Sequence, residues 1–139
     1  QPETVSYDFN TLTCDEIIEL GKHQLVEIGA HTCMHPYLTT LDHDRACKEV
    51  LDSKYRLEEI LGRNINYFSY PHGDYSEKLA DAIKPYFSLI FTVNRGSNGP
   101  QTSPYKLRRD SLSGGLNQIR YHFMGIYDLI RLFDPIRGK

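Results

Sequence analysis

The sequence predicts an α/β chain of about four parallel strands joined by crossover helices. Strand-like and helix-like patterns alternate along it, and the strand-like runs are short and rich in Val, Ile, Leu and aromatic residues. One of them, FSLIFTV (residues 87–93), is apolar without alternation, as a strand covered on both faces should be. A full β/α barrel needs roughly 250 residues, whereas this chain has 139. The pattern therefore allows a small open sheet or part of a larger barrel.

The first segment, TCDEIIELGK (13–22), opens on Thr13 with Glu16 three positions on, a capping box that predicts a helix start. LVEIGAH (25–31) reads as a strand ending near His31. In DHDRACKEVLDSKYRLEEILG (42–62), Asp42 suits the N-cap and Gly62 the position past the last turn. Ala46, Val50, Leu57 and Leu61 recur there at helical spacing. INYFSYP (65–71) is a second strand closed by Pro71, and SEKLADAIKP (76–85) a short helix stopped by Pro85. FSLIFTV is the third strand. RGSNGPQTSP (95–104) is a loop by its clustered Gly, Asn, Ser and Pro, and YKLRRDSL (105–112) is the fourth strand. LNQIRYHFMGIYDLIRLF (116–133) predicts a terminal helix with Gly125 as its weak point.

At 40% hydrophobic residues, the chain can form one domain, residues 1–139, with a real core. The formal net charge is −2, and no basic stripe suggests a nucleic-acid partner. No apolar run is long enough to span a membrane, and no secretory leader is visible. The chain starts at Gln1 rather than Met, so a removed upstream segment is expected. Cys14, Cys33 and Cys47 lack C-x-x-C spacing and read as free thiols, which points to a reducing compartment.

HTCMHP (31–36) carries the chemistry. In an extended strand, residues four apart lie ~13 Å apart, too far for two nitrogens that must each approach one ion to ~2.1 Å. For His31 and His35 to share a metal, the strand must end at His31 and the chain must turn like a helix to His35, with Pro36 stopping the turn. That turn would sit at the carboxyl end of a strand, where α/β sites are built. The spacing alone favours a surface pair of histidines in a polar loop.

The flanking residues shift that balance. VEIGAHTCMHPYLTTLD, followed after the long helix by LGRNINYFSYPHGDYSEKLADAIK, resembles the polysaccharide deacetylases, carbohydrate esterase family 4 with its NodB-type domain. The family motifs are H-[ST]-x-x-H-P after an E-I-G-x-H strand, then an aromatic strand ending in P-[YFH]-G; both occur here in order. The resemblance covers roughly residues 12 to 112. It implies a distorted β/α barrel whose N-terminal strands are missing from this chain. It also implies removal of acetyl groups from N-acetylated, less often O-acetylated, carbohydrate, with a divalent metal, zinc first among candidates.

Carried over residue by residue, His31 and His35 match the metal-binding histidines, and Thr32 the small hydroxyl residue between them. Pro71, His72 and Gly73 match the turn that walls the substrate groove. The backbone amide of His72 would hold the oxyanion, a role that needs no particular side chain. Tyr70 and Tyr75 flank that turn as candidates to stack on a sugar ring, with ordinary aromatic packing equally open. Three departures stand out. The T-F-D-D motif that supplies a metal aspartate and the base aspartate is absent, and neither Asp8 nor Asp15 has its context. Ser69 stands where many members carry arginine. No late L-x-H motif occurs, and His122 in the terminal helix does not match it.

Two histidines without a base are half of a metal hydrolase site. The missing half is expected upstream of Gln1 or on another chain, and a second chain or a homo-oligomer is expected to cover the sheet edge. Arg109 in KLRRDSL is a candidate to replace the arginine missing at Ser69, against the alternative of a surface arginine paired with an acid. The competing class is a non-catalytic carbohydrate-binding or interaction module. The sequence leaves the compartment open between the cytoplasm and the envelope of a bacterium.

Overall fold

The computed structural model describes residues 11–110 and Arg120. Asp8, the predicted terminal helix and His122 lie outside the described residues. Three α-helices, α1 (Cys14–Gly21), α2 (His43–Leu61) and α3 (Glu77–Ile83), and two strands, β1 (Tyr67–Ser69) and β2 (Leu89–Phe91), are joined by short 3-10 turns at Leu38–Thr40, Pro71–Gly73 and Lys84–Tyr86.

The helix ends follow the local chemistry. Thr13 accepts from the Glu16 amide while Glu16 accepts from the Thr13 amide at 2.7 Å, closing the capping box of α1. Asp42 accepts from the Arg45 amide at 2.9 Å at the start of α2, and Gly62 ends that helix at φ 63, a left-handed conformation that glycine adopts without steric cost. Ser76 caps α3 through the Leu79 amide, and the chain leaves that helix through the 3-10 turn containing Pro85.

β1 and β2 pair in parallel with Tyr67 opposite Leu89, Phe68 opposite Ile90 and Ser69 opposite Phe91. The expectation of about four parallel strands is corrected here. The first and fourth predicted strands shrink to single parallel bridges, Ala30 to Phe68 and Leu107 to Phe91. Among the described residues these outer segments have a ladder partner on one side only. Leu25, at the start of the predicted first strand, is 90% exposed.

Alternation along the strands decides where the core sits. Ala30, Phe68 and Ile90 pack with Val50 of α2, Leu79 and Ile83 of α3, and Ile65, Tyr70 and Phe87. The opposite face, bearing Gly29, His31, Tyr67, Ser69, Leu89 and Phe91, lines an open groove of about 480 Å³ with Glu27. The expectation that FSLIFTV is covered on both faces therefore fails among the described residues, since Leu89 and Phe91 are only half-buried. Helix α2 buries Ala46 and Val50 but also Ser53 and Lys54. The Lys54 ammonium is satisfied by the Ile65 carbonyl at 2.6 Å and by the Glu58 carboxylate, which in turn accepts from the Ile65 amide. Helix α1 buries no residue. All three cysteines are free thiols, and no described helix is long and apolar enough to cross a membrane.

Candidate active site

Two segments meet beyond the carboxyl end of the sheet. One follows Ala30 and carries His31 to Thr40; the other follows β1 and carries Tyr70 to Tyr75. His31 sits directly past the Ala30 bridge, and its Nδ1 lies 2.6 Å from the Ser69 carbonyl oxygen. A carbonyl only accepts, so Nδ1 carries the hydrogen and Nε2 keeps its lone pair for a ligand.

The turn from His31 to His35 is not helical, which corrects the geometry read from the spacing. Thr32 and His35 adopt φ values of 69 and 53, in the left-handed region that non-glycine residues rarely enter. Pro36 disfavours a right-handed helical His35, and the Thr32 hydroxyl accepts from the His35 amide at 3.1 Å. From α2, Glu49 Oε2 accepts from the amides of Cys33 and Met34 at 3.1 and 3.0 Å. The two imidazoles come together with ring centroids 4.9 Å apart at 66°. Cys33 lies between them in sequence, and partial burial, then the carboxylates of Glu49 and Asp52, push its thiol pKa up, so it is a protonated thiol at neutral pH.

In the second segment, Pro71–Gly73 forms a tight turn whose Gly73 and Asp74 amides donate to the carbonyls of Tyr70 and Pro71 at 3.1 and 3.0 Å. His72 has φ 56 and Gly73 φ 70. Only glycine fits the latter position, since a Cβ there would lie 2.1 Å from Val93 Cγ2. The His72 ring meets His35 edge-on at 4.5 Å and stacks on Tyr37 at 4.1 Å and 11°. Tyr37 is 55% exposed. The Asp74 carboxylate crosses to the first segment and accepts from the Thr39 amide at 2.7 Å and its hydroxyl at 2.9 Å.

The structure thus brings His31, His35 and the Pro71–Gly73 turn together. Tyr70 does not join them. It is 1% exposed, its ring against Phe68 at 5.1 Å and stacked on Tyr75 at 4.5 Å, and burial pushes its hydroxyl pKa well above the ordinary range. The candidate role of Tyr70 as a sugar platform is corrected to packing, because no ring face is left open; Tyr75 is half-buried above it. Arg109 is tied to the end of β2, its Nε donating to the Thr92 carbonyl at 2.8 Å. None of its hydrogen bonds among the described residues reaches His31 or His35. It lines a hollow with Val93, Arg95 and Asp110. Asp15 stays in the first turn of α1. Among the described residues, no group of three or more His, Cys, Asp or Glu side chains is arranged to hold a metal.

Sequence reasoning missed Tyr37, Thr39, Glu49 and Asp74. Asp74 directly follows the P-H-G turn, which was its one signal. Glu49 was hidden on the polar side of a well-capped helix.

A family model described as polysaccharide deacetylase matches residues 8–86. The chain belongs to the polysaccharide deacetylase family. Among solved structures, a polysaccharide deacetylase from Bacillus cereus superposes with a TM-score of 0.69 at 22% identity, over 82% of this chain and 37% of its own. The Streptococcus pyogenes deacetylase PplD, solved in complex with acetate, gives 0.67 at 26% identity, over 74% and 46%. IcaB from Ammonifex degensii gives 0.64 at 23%, over 73% and 48%. This member of the polysaccharide deacetylase family therefore matches less than half the length of each of these structures. No match was found among curated proteins.

Proposed function

We propose that this chain carries one half of a carbohydrate deacetylase site. In this reading His31 and His35 hold a divalent ion, zinc first, and the His72 amide binds the oxyanion formed when an N-acetyl (or O-acetyl) group on a sugar is hydrolysed. The observation that carries it is the contact between the His31–His35 pair and the P-H-G turn, with His35 and His72 rings 4.5 Å apart.

The donor set fits such an ion in part. His31 is fixed as the tautomer whose Nε2 can ligate, and two neutral imidazoles suit zinc. An ion held there supplies Lewis acidity to the acetyl carbonyl and acidifies water. The chain's own residues do the rest of what is assigned here. Ser69 orients His31 through its carbonyl, and Thr32 and Glu49 hold the loop that presents His35. The His72 amide donates to the developing oxyanion, and Pro71, Gly73 and Tyr75 wall the groove. A carboxylate ligand and a general base are assigned to residues outside 11–110. Those residues would also complete a distorted barrel around the Ala30–β1–β2–Leu107 array and cover the open groove over Tyr67, Leu89 and Phe91, within the same domain, from a second chain or from another copy. In that completed site Arg109 keeps the role of carboxylate partner only if its Thr92 contact is exchanged.

The test is calorimetry with zinc on the pure chain. Weak binding that His31→Ala abolishes supports the reading, because two protein ligands leave most of the coordination shell to water. No binding, or tight binding that survives His31→Ala, overturns it. A second reading, a non-catalytic carbohydrate-binding module, is favoured by the lack of a third ligand among the described residues. Oligosaccharide binding without zinc binding would select it.

A further inference from the structure

Past Ser69, the only hydrogen bonds that join the histidine segment to the P-H-G turn among the described residues come from the Asp74 carboxylate. It receives the Thr39 amide at 2.7 Å and the Thr39 hydroxyl at 2.9 Å. The remaining contacts are ring to ring, Tyr37 on His72 and His72 on His35. From these observations we infer that Asp74 is a positioning residue that sets the distance between the His35 loop and the His72 turn. As a device of the active site, it rests on the function proposed above.

Asp74 is not needed for more local duties. Its own turn is closed by its backbone amide on the Pro71 carbonyl, and α3 is capped by Ser76. The 3-10 turn Leu38–Thr40 has no side-chain cap from Tyr37, and the amide that Asp74 takes lies in that turn. The carboxylate therefore caps a turn that belongs to the opposite segment, 35 residues away. Such hydrogen bonds to an ionised acceptor are stronger than neutral ones. They act where the backbone most needs support. The non-glycine residues with positive φ among the described residues are Thr32, His35 and His72, all in these two segments. Conformations of this kind persist only where the surroundings over-determine them. Without the clamp, His72 and His35 would keep only ring contacts to hold a separation on which both a shared ion and the His72 amide depend.

The experiment uses the metal-free chain, so that it is read apart from the proposed metal site. Ring-proton cross-peaks between His35 and His72, and between Tyr37 and His72, are expected in the wild type, lost in Asp74→Ala and retained in Thr39→Ser, which keeps both donors. Cross-peaks between Phe68 and Tyr70 report whether the core remains folded; if Asp74→Ala loses those too, Asp74→Asn and Thr39→Val decide on the same peaks. Persistence of the His35–His72 peaks in a folded Asp74→Ala chain overturns the inference. Zinc calorimetry adds the functional readout: about tenfold weaker binding in Asp74→Ala, as for partners that support metal ligands, and wild-type binding in Thr39→Ser. A wild-type chain that binds no zinc sinks the proposed function while the ring cross-peaks still decide the role of Asp74.

Discussion

His31 donates its Nδ1 hydrogen to the Ser69 carbonyl across 2.6 Å. The bond ties the first residue of the histidine loop to the last residue of β1, and it selects the tautomer. Residue 69 acts here through its backbone carbonyl, an acceptor that every amino acid at this position retains. The ¹⁵N spectrum of the imidazoles, recorded where the ring is neutral, is expected to show His31 protonated at Nδ1. Protonation at Nε2 would reverse which nitrogen is available and undo the argument for ligation.

Gly73→Ala is expected to destabilise the fold by about 1–3 kcal/mol, since the added methyl meets Val93 and φ 70 strains any L side chain. Urea denaturation measures this. Val93→Ala in the same chain should recover only the steric share, leaving the backbone strain. Full recovery would mean that the turn itself is relaxed.

Lys54→Met should cost roughly 1–3 kcal/mol, because the Ile65 carbonyl and the Glu58 carboxylate lose a donor in a nearly buried place. Adding Glu58→Gln should return part of that loss by removing the orphaned charge. A denaturation series in which Lys54→Met matches the wild type would show that the ammonium is dispensable.

The α1 capping box should be acid-sensitive. Hydrogen bonds from the Thr13 amide and hydroxyl hold the Glu16 carboxyl below its ordinary value of 4.5. A lowered folded-state pKa means that the cap's contribution is complete above that value and is lost as pH falls through the folded pKa. Hydrogen exchange in the first turn of α1 should accelerate on acidification below 4.5 and lose this dependence in Glu16→Gln. Equal pH dependence in both chains would refute it.

The pure chain is expected to give no turnover of an N-acetylglucosamine oligomer, because the described carboxylates of the two loops, Glu49 and Asp74, are engaged by the Cys33, Met34 and Thr39 amides, and no described group of three or more His, Cys, Asp or Glu could hold the metal. Acetate release that His31→Ala abolishes would place the base within this chain.

Much of this was readable in short windows. Thr13 with Glu16, Asp42, Gly62 and Pro85 mark helix ends because capping involves residues within a turn of one another. HTCMHP and YPHG were legible as a pair, and the matched polysaccharide deacetylase model spans both.

What lay out of reach of the sequence was whatever depended on a distant neighbour. Helical spacing named Ala46 and Val50 but not Lys54, whose burial depends on a carbonyl at Ile65 that a pattern of apolar residues does not register. Tyr70 looked the same as Tyr75 in sequence, and only packing against Phe68 separated a core ring from a half-buried one. The outer strands shrank to single bridges, because how far a segment pairs is set by its neighbours in the fold rather than by its own β propensity. The sequence by itself determined where the helices are capped and that HTCMHP and YPHG follow one another in family order. The tertiary structure alone decided that Asp74 reaches Thr39, that Thr32, His35 and His72 are held left-handed, and that His72 meets His35. Those are contacts between segments far apart along the chain, and their geometry is fixed only once the sheet has set the two loops side by side.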